Sequence, residues 1–349
     1  MSRNAELVKG RINKKYKHSL SFSGLDLAEE KYSIISDLPD IESKPSSKPL
    51  PAGQKAAELY QDAAGILNEV ILAIQGGQLQ LKLDDLQKII TRMIASLQVS
   101  DELLIKSLYS GNDAHSLTFH MLNVSILSLK LGLGLNFSEM ELIKLGLAAI
   151  MHDIGKLKVS QDILEAPRRL SPKEFTELKK HSTYGYNIIG NWNEEYLWMA
   201  EIVLNIHERE DGSGYPSGRS NSEIHQYAKI IGLVDIYEAL THDRSYRKRL
   251  LHFEATRMII AEHKTGFPKF LLKAFIQQLS AYPVNSYVKL NSSEIAQVIR
   301  TNPLSPLRPV IKVVYDSQGV GLPTPKLVNL EKNSLLYIIS SLPIENFEL

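Results

Sequence analysis

The stretch LGLAAIMHDIGK, Leu145 to Lys156, runs through seven mostly apolar residues and then sets His152 beside Asp153. Both side chains are costly to bury unless something pairs with them. A metal ion would offset that cost, and so would an ordinary hydrogen bond to the backbone; the stretch alone leaves both open. Read as a helix that stops at Gly155, it places the pair at a helix mouth. Neighbouring helical side chains point about 100° apart, so the two can approach one cavity from different sides.

Around this stretch the apolar pattern is helical. From Lys55 to Leu108 apolar residues recur at helical spacing, with Leu59, Ala63, Ile66, Leu67 and Val70 on one stripe. DDLQKIITRMIASL, Asp84 to Leu97, opens with acidic residues that suit a helix N-terminus. LSPKEFTELKKH, Leu170 to His181, carries Ser171 as an N-cap, Pro172 at the first helical position and Glu174 at the capping-box position. The pattern continues to about Ala281, broken at Gly155, at the APRR turn from Ala166 and at the GSGYP turn from Gly212. Beyond Tyr282 the segments NSYVKL, EIAQVI and PVIKVVYD are short, rich in Val and Ile, and separated by Pro, Asn and Gly, which predicts a small β element. Toward the N-terminus, IESKPSSKPLPAG (Ile41 to Gly53) reads as a linker, and KGRINKKYKH (Lys9 to His18) as a solvated basic tail.

The expected organisation is therefore a basic, partly disordered segment and linker over 1–54 and a helical region over 55–111. A larger helical domain over 112–283 and a β-rich extension over 284–349 follow. The 349 residues can bury a substantial core. Forty Lys plus Arg against 39 Asp plus Glu give no overall attraction to nucleic acid or acidic membranes. With no cysteine, disulfides are excluded and any metal must sit on His, Asp, Glu or backbone oxygen. No run of about 18 uncharged apolar residues predicts a membrane span, and the basic N-terminus lacks the apolar core of a signal peptide. A cytoplasmic protein is expected.

Six polar residues stand in or beside apolar helical stripes: His120, His152, Asp153, His181, His207 and Asp235. One such residue is usually a satisfied core group; six on five separate segments are harder to dismiss. Imidazoles and carboxylates suit Fe, Mn, Zn or Ni, and an Asp can span two cations with its two oxygens.

HDIGK (His152 to Lys156), HSTYG (His181 to Gly185), HEREDGSGYP (His207 to Pro216) and VDIYEALTHDRSYR (Val234 to Arg247) resemble the HD-GYP family, a branch of the HD phosphohydrolases whose known members hydrolyse cyclic di-GMP in bacterial signalling. The resemblance covers roughly residues 110–249. It implies a mainly α fold: an HD-superfamily helical bundle with an N-terminal helical region and a small C-terminal β element. It also implies two divalent transition metal ions, Fe or Mn first and Zn or Ni after them, on His120, His152, Asp153, His181, His207 and Asp235, with Asp153 as the bridge. Lys156 falls on the lysine that contacts the scissile phosphate, and Lys156 and Asp153 are the catalytic pair. Arg244 and Arg247 fall on basic residues that hold substrate phosphates, where a fork of donors suits phosphate oxygens. Tyr215, in the loop Gly214 to Pro216, falls on a surface facing substrate or a protein partner, and equally suits a packing aromatic. The implied ligand is cyclic di-GMP or a related cyclic dinucleotide, not a nucleic-acid polymer, and the N-terminal helices suit a homodimer.

Two departures from the family pattern matter. The family has two consecutive histidines before the Glu, and this chain reads NIHE, with Ile206 in the first position. Some members carry a Glu four residues before the first ligand His, and this chain has Ser116 there. Isoleucine cannot ligate, so a trinuclear centre is not expected and the second metal is one ligand short, a gap for water or Asn205. The departures keep two alternatives open: a catalytically weakened cyclic-dinucleotide sensor or interaction module, and an HD hydrolase of another phosphoester.

Overall fold

The computed structural model describes residues 52–77, 83–110, 116–244, 247–343 and 347. The basic tail, nearly all of the Pro/Ser linker, and Ser245 lie outside the described residues. Helices come first: α1 (Ala52–Gln75), α2 (Asp84–Val99), α3 (Glu102–Leu108), α4 (Leu117–Gly134) and α5 (Glu139–Ile150). After a 3-10 turn at Ile154–Lys158 follow α6 (Gln161–Leu164), α7 (Pro172–Lys179), α8 (His181–Gly190) and α9 (Leu197–Asn205). The helical part closes with α10 (Gln226–Thr241), α11 (His252–His263) and α12 (Lys269–Leu279).

Local chemistry sets the ends. Asp84 and Asp85 occupy the first turn of α2, and its buried stripe is Leu86, Ile89, Ile90, Met93, Ile94 and Leu97. At α7 the Ser171–Glu174 capping box closes in both directions with Pro172 in the first turn, as the sequence predicts. Ser138 and Glu141 make the same box at α5. Helix α4 is buried on nearly every side and packs against α5, α10, α12 and α3. By length and composition it could cross a membrane, but 72% of it is buried inside the protein, where it is the central core helix.

Leu145 to Lys156 departs from the expected helix in one respect. Helix α5 ends at Ile150, and His152 and Asp153 stand in the turn between it and the 3-10 segment, not on a helix running to Gly155. Gly155 has a different role. A Cβ there would collide with the His181 carbonyl oxygen and the Gly185 backbone nitrogen. The missing side chain thus lets the 3-10 turn lie directly on α8. Alanine at this position is expected to cost about 3 kcal/mol, the upper end for overpacking, because both colliding groups are backbone and cannot rotate away. An unchanged denaturation midpoint for Gly155→Ala would show that the two segments are not locked.

The C-terminal part is a five-stranded antiparallel sheet in the order β4-β3-β2-β1-β5. Strands β1 (Tyr287–Leu290), β2 (Ile295–Arg300) and β3 (Val310–Tyr315) are the three Val/Ile-rich segments of the sequence. Their inward residues Val288, Leu290, Ala296, Val298, Ile311 and Val313 form a separate core with Ala281, Tyr282 and Leu330. Strands β4 (Gly321–Asn329) and β5 (Ile338–Leu342) escape the sequence reading. Pro323 and Pro325 hide β4, and prolines are tolerated there because it is an edge strand whose outward positions need no ladder donor. The Tyr109 and Ser286 hydroxyls, 3.2 Å apart, link the end of α3 to the start of the sheet.

Candidate metal centre

Five separate segments bring the six residues together. His120 lies in α4 and Asp235 in α10; His152 and Asp153 follow α5, His181 opens α8, and His207 follows α9. His120, His152, Asp153 and His181 are all at most 2% exposed. The ligand atoms fall into two groups, His120 with His152 and Asp235, and Asp153 with His181 and His207, each within 4.8 Å of one another.

Both carboxylates span the groups. Asp153 Oδ2 lies 3.1 Å from His120 Nε2 and 3.4 Å from His152 Nε2, while Oδ1 lies 3.4 Å from His181 Nε2. Asp235 Oδ1 lies 3.2 Å from His120 Nε2 and 3.8 Å from His152 Nε2, while Oδ2 lies 3.9 Å from His207 Nδ1. His181 Nε2 and His207 Nε2 are 2.9 Å apart.

The outer faces of three rings fix their tautomers. Nδ1 of His152 is 2.8 Å from the Ala149 carbonyl, Nδ1 of His181 is 2.6 Å from that of Leu178, and Nδ1 of His120 is 2.6 Å from Glu238 Oε2. A carbonyl or carboxylate only accepts, so Nδ1 donates in each, and in a neutral ring Nε2 then carries the lone pair. Those lone pairs point at carboxylate oxygens, and Nε2 of both His120 and His152 is buried without a hydrogen-bond partner. Lone pairs facing lone pairs need a positive charge between them. Imidazole and carboxylate donors with tied outer nitrogens are what divalent transition metals take, and the residues fit such a group.

The electrostatics agree. Burial alone would lower the pKa of His120, but Glu238, Asp153 and Asp235 raise it to about 10. Burial opposes ionisation of Asp153, yet Lys156 and His152 hold it well below the usual carboxylate range. Burial likewise opposes ionisation of Asp235, which His120 and His152 keep well below that range. His181 and His207 are pushed down, first by burial. The cluster attracts positive charge on the His120–His152 side and keeps neutral imidazoles on the other.

The remaining sequence candidates divide. Lys156 Nζ pairs with Asp153 Oδ2, and Lys156 and Arg244 line a cavity of about 430 Å³ over His120, His181, His207 and Asp235. Tyr215 lines the same cavity and stacks on His207, with ring centroids 4.7 Å apart. Arg247 is not among the lining residues. Its guanidinium donates to the carbonyls of Ala239, Leu240 and Lys248, where it closes the C-terminal end of α10. Ile206 is fully buried in the core, and Asn205 turns its amide nitrogen to the Glu201 carbonyl while Oδ1 is left buried without a partner.

Two functional-looking carboxylates escape the sequence reading. Glu238 is fully buried; its Oε2 accepts from His120 Nδ1 and from Arg244 Nη2 at 2.9 Å, and its Oε1 accepts from Asn123 Nδ2 at 3.2 Å. The available signal was its place three residues after Asp235 on one helix, which puts both on one face. Glu208, 1% exposed, accepts the Ser217 and Arg219 backbone N–H groups at 2.7 and 3.0 Å and so holds the Gly214–Pro216 loop against His207.

The family described as HD domain matches residues 93–267, half of the chain, and all six clustered residues lie inside that match. The chain belongs to the HD-domain family. Residues 287–349, the sheet, match the family described as KOW domain associated with HD domain. A cyclic di-GMP phosphodiesterase of Pseudomonas aeruginosa is 31% identical over 209 residues, covering 60% of this chain and 50% of that protein. One from Thermotoga maritima is 33% identical, covering 52% of this chain and 48% of its own length. A 3'3'-cGAMP-specific phosphodiesterase (number 3) of Vibrio cholerae is 37% identical, covering 32% of this chain and 24% of that protein. The chain thus spans about half the length, or less, of these curated relatives. Among solved structures, an HDG"Y"P protein of Bdellovibrio bacteriovorus superposes with a TM-score of 0.54 at 16% identity, covering 64% of this chain and 71% of that one, a likeness of fold. In this HD domain Asp153 sits between the imidazoles of His120 and His152 on one side and that of His181 on the other.

Proposed function

We propose that the chain is a cytoplasmic phosphodiesterase that opens cyclic di-GMP to its linear dinucleotide with a pair of divalent metal ions, Fe or Mn first. The observation that carries this reading is that Asp153 and Asp235 each reach both groups of imidazoles, with Nε2 of His120, His152 and His181 and Nδ1 of His207 turned toward their oxygens. When bound, the metals supply Lewis acidity toward phosphoryl oxygens and an acidified water. The chain's residues supply the rest. His120, His152 and Asp235 would hold one side of the centre and His181 and His207 the other, with Asp153 within reach of both. Glu238 keeps the proton on His120 Nδ1, which leaves Nε2 free to donate its lone pair. Lys156, beside Asp153 on the cavity wall, neutralises charge that develops on the phosphoryl oxygens, and Arg244 offers guanidinium N–H groups to the same phosphate. Arg247 is read as structural, because its donors already serve backbone carbonyls.

A sensor that binds the nucleotide without cutting it is favoured by one observation, the buried Ile206 where the family places an imidazole. Chromatographic assay of protein purified anaerobically and loaded with Mn or Fe(II) separates the two. The expected result is conversion of cyclic di-GMP to linear product with about two metal equivalents bound. Two bound equivalents and nucleotide binding with no product would replace the enzyme by the sensor.

A further inference from the structure

Two cavities adjoin over the candidate centre, and both are lined by His120, Lys156 and Arg244. They differ in charge beyond those shared residues. The one of about 380 Å³ under α1 adds no cation among its described lining residues, and it carries the carboxylate of Glu165. The one of about 430 Å³ runs instead toward the segment between α6 and α7 and adds Arg168 and Arg169. A cyclic dinucleotide has two phosphodiesters and two bases, so a ligand whose one phosphate lies at Lys156 must send a second anion into one of these cavities. Charge selects the second.

Within that cavity the two arginines are not equivalent. Arg168 is bound at both nitrogens to Glu174, at 2.9 and 2.7 Å, and Glu174 is also the capping-box partner of Ser171, so this arginine anchors the loop to α7. Arg169 is exposed, and among the described residues its guanidinium has no carboxylate partner. The neighbouring Phe175 is 47% exposed and lines the same cavity. Lys179 Nζ lies 4.8 Å from its ring centroid and 5.0 Å from that of Tyr215.

We infer that Arg169 and Phe175 form a distal subsite that holds the half of a cyclic dinucleotide remote from the cut, the guanidinium on the uncleaved phosphodiester and the ring against a base. A guanidinium fork matches phosphate oxygens, and an aromatic face takes any base by stacking. The inference deepens the proposed function and rests on its substrate class.

The test uses the full, metal-loaded chain and compares wild type with Arg169→Ala, Arg169→Lys and Phe175→Ala. Calorimetric Kd and steady-state KM and kcat are measured with cyclic di-GMP, and turnover with bis(p-nitrophenyl) phosphate, which has one phosphodiester and no base. A charge-assisted hydrogen bond lost at a partly exposed site corresponds to about tenfold in affinity. Arg169→Ala and Phe175→Ala are each expected to raise Kd and KM for cyclic di-GMP by about that factor. Any loss on bis(p-nitrophenyl) phosphate should be much smaller, with Arg169→Lys intermediate. Equal Kd for all variants, or equal losses on both substrates, would overturn the subsite. If wild type fails to turn over cyclic di-GMP, the enzymatic reading fails, and the Kd comparison still judges the subsite; if wild type does not bind it either, the subsite falls as well.

Discussion

Asp153→Asn is expected to reduce turnover of cyclic di-GMP by more than about 100-fold and to lower bound metal from two equivalents to one or none. Asparagine keeps the shape of the side chain but loses the charge, and its amide nitrogen cannot donate a lone pair. One of the two oxygens that reach His120 and His152 on one side and His181 on the other thereby ceases to be a ligand. Outer-sphere partners of metal sites cost up to about 100-fold when removed, and a shared ligand must exceed that. Lys156 also loses its carboxylate partner, so the cation that faces the phosphate is released from its position. Elemental analysis beside the chromatographic assay reads both effects. Two retained metal equivalents in Asp153→Asn would show that the two groups of ligands do not share this carboxylate.

The second large effect is expected at Glu238, a residue that touches no substrate. Its Oε2 receives two donors, from His120 and Arg244, and its Oε1 receives a third from Asn123. Glutamine there presents an NH2 group to one of those donors whichever way it is turned, so at least one donor is left facing another in the buried interior. With the NH2 group at the Oε2 position the His120 ring loses the contact that fixes its tautomer, and in either orientation it loses the negative charge beside it, so metal affinity should fall by roughly 10- to 100-fold. Chelator competition measures this directly. Circular dichroism and the denaturation midpoint separate a lost site from a lost fold, and unchanged affinity in a folded Glu238→Gln would assign Glu238 to packing alone.

Glu238 also shows where sequence reasoning stops. The six clustered residues announce themselves because a polar side chain at the end of an apolar run has few inexpensive fates. Glu238 lies in DIYEAL, where a glutamate on a helix reads as an ordinary solvated face. Only the packing of α10 on α4 buries it against His120. Arg244 and Arg247 make the complementary case. Three residues apart and alike in chemistry, they are equivalent as a pattern, yet one faces the cavity and the other serves the carbonyls at the end of α10. The capping box at Ser171, by contrast, is complete within four residues, so it forms as read.

By itself the sequence determined what is local or periodic: the helical texture up to about residue 280, the caps, the three Val/Ile strands, and the kinds of ligand a cysteine-free metal site must use. It also carried the order and spacing of the motifs, which is a one-dimensional property. Tertiary structure decided what depends on distant segments meeting. It turned Nε2 of His120, His152 and His181 inward by tying each Nδ1 outward, and it divided the ligands into two groups spanned by two carboxylates. It placed Ile206 in the core and brought Gly155 against the backbone of α8. Spacing along a chain fixes which side chains share a helix face, but the direction of a ring nitrogen and the partner of a guanidinium are set only when separate elements pack.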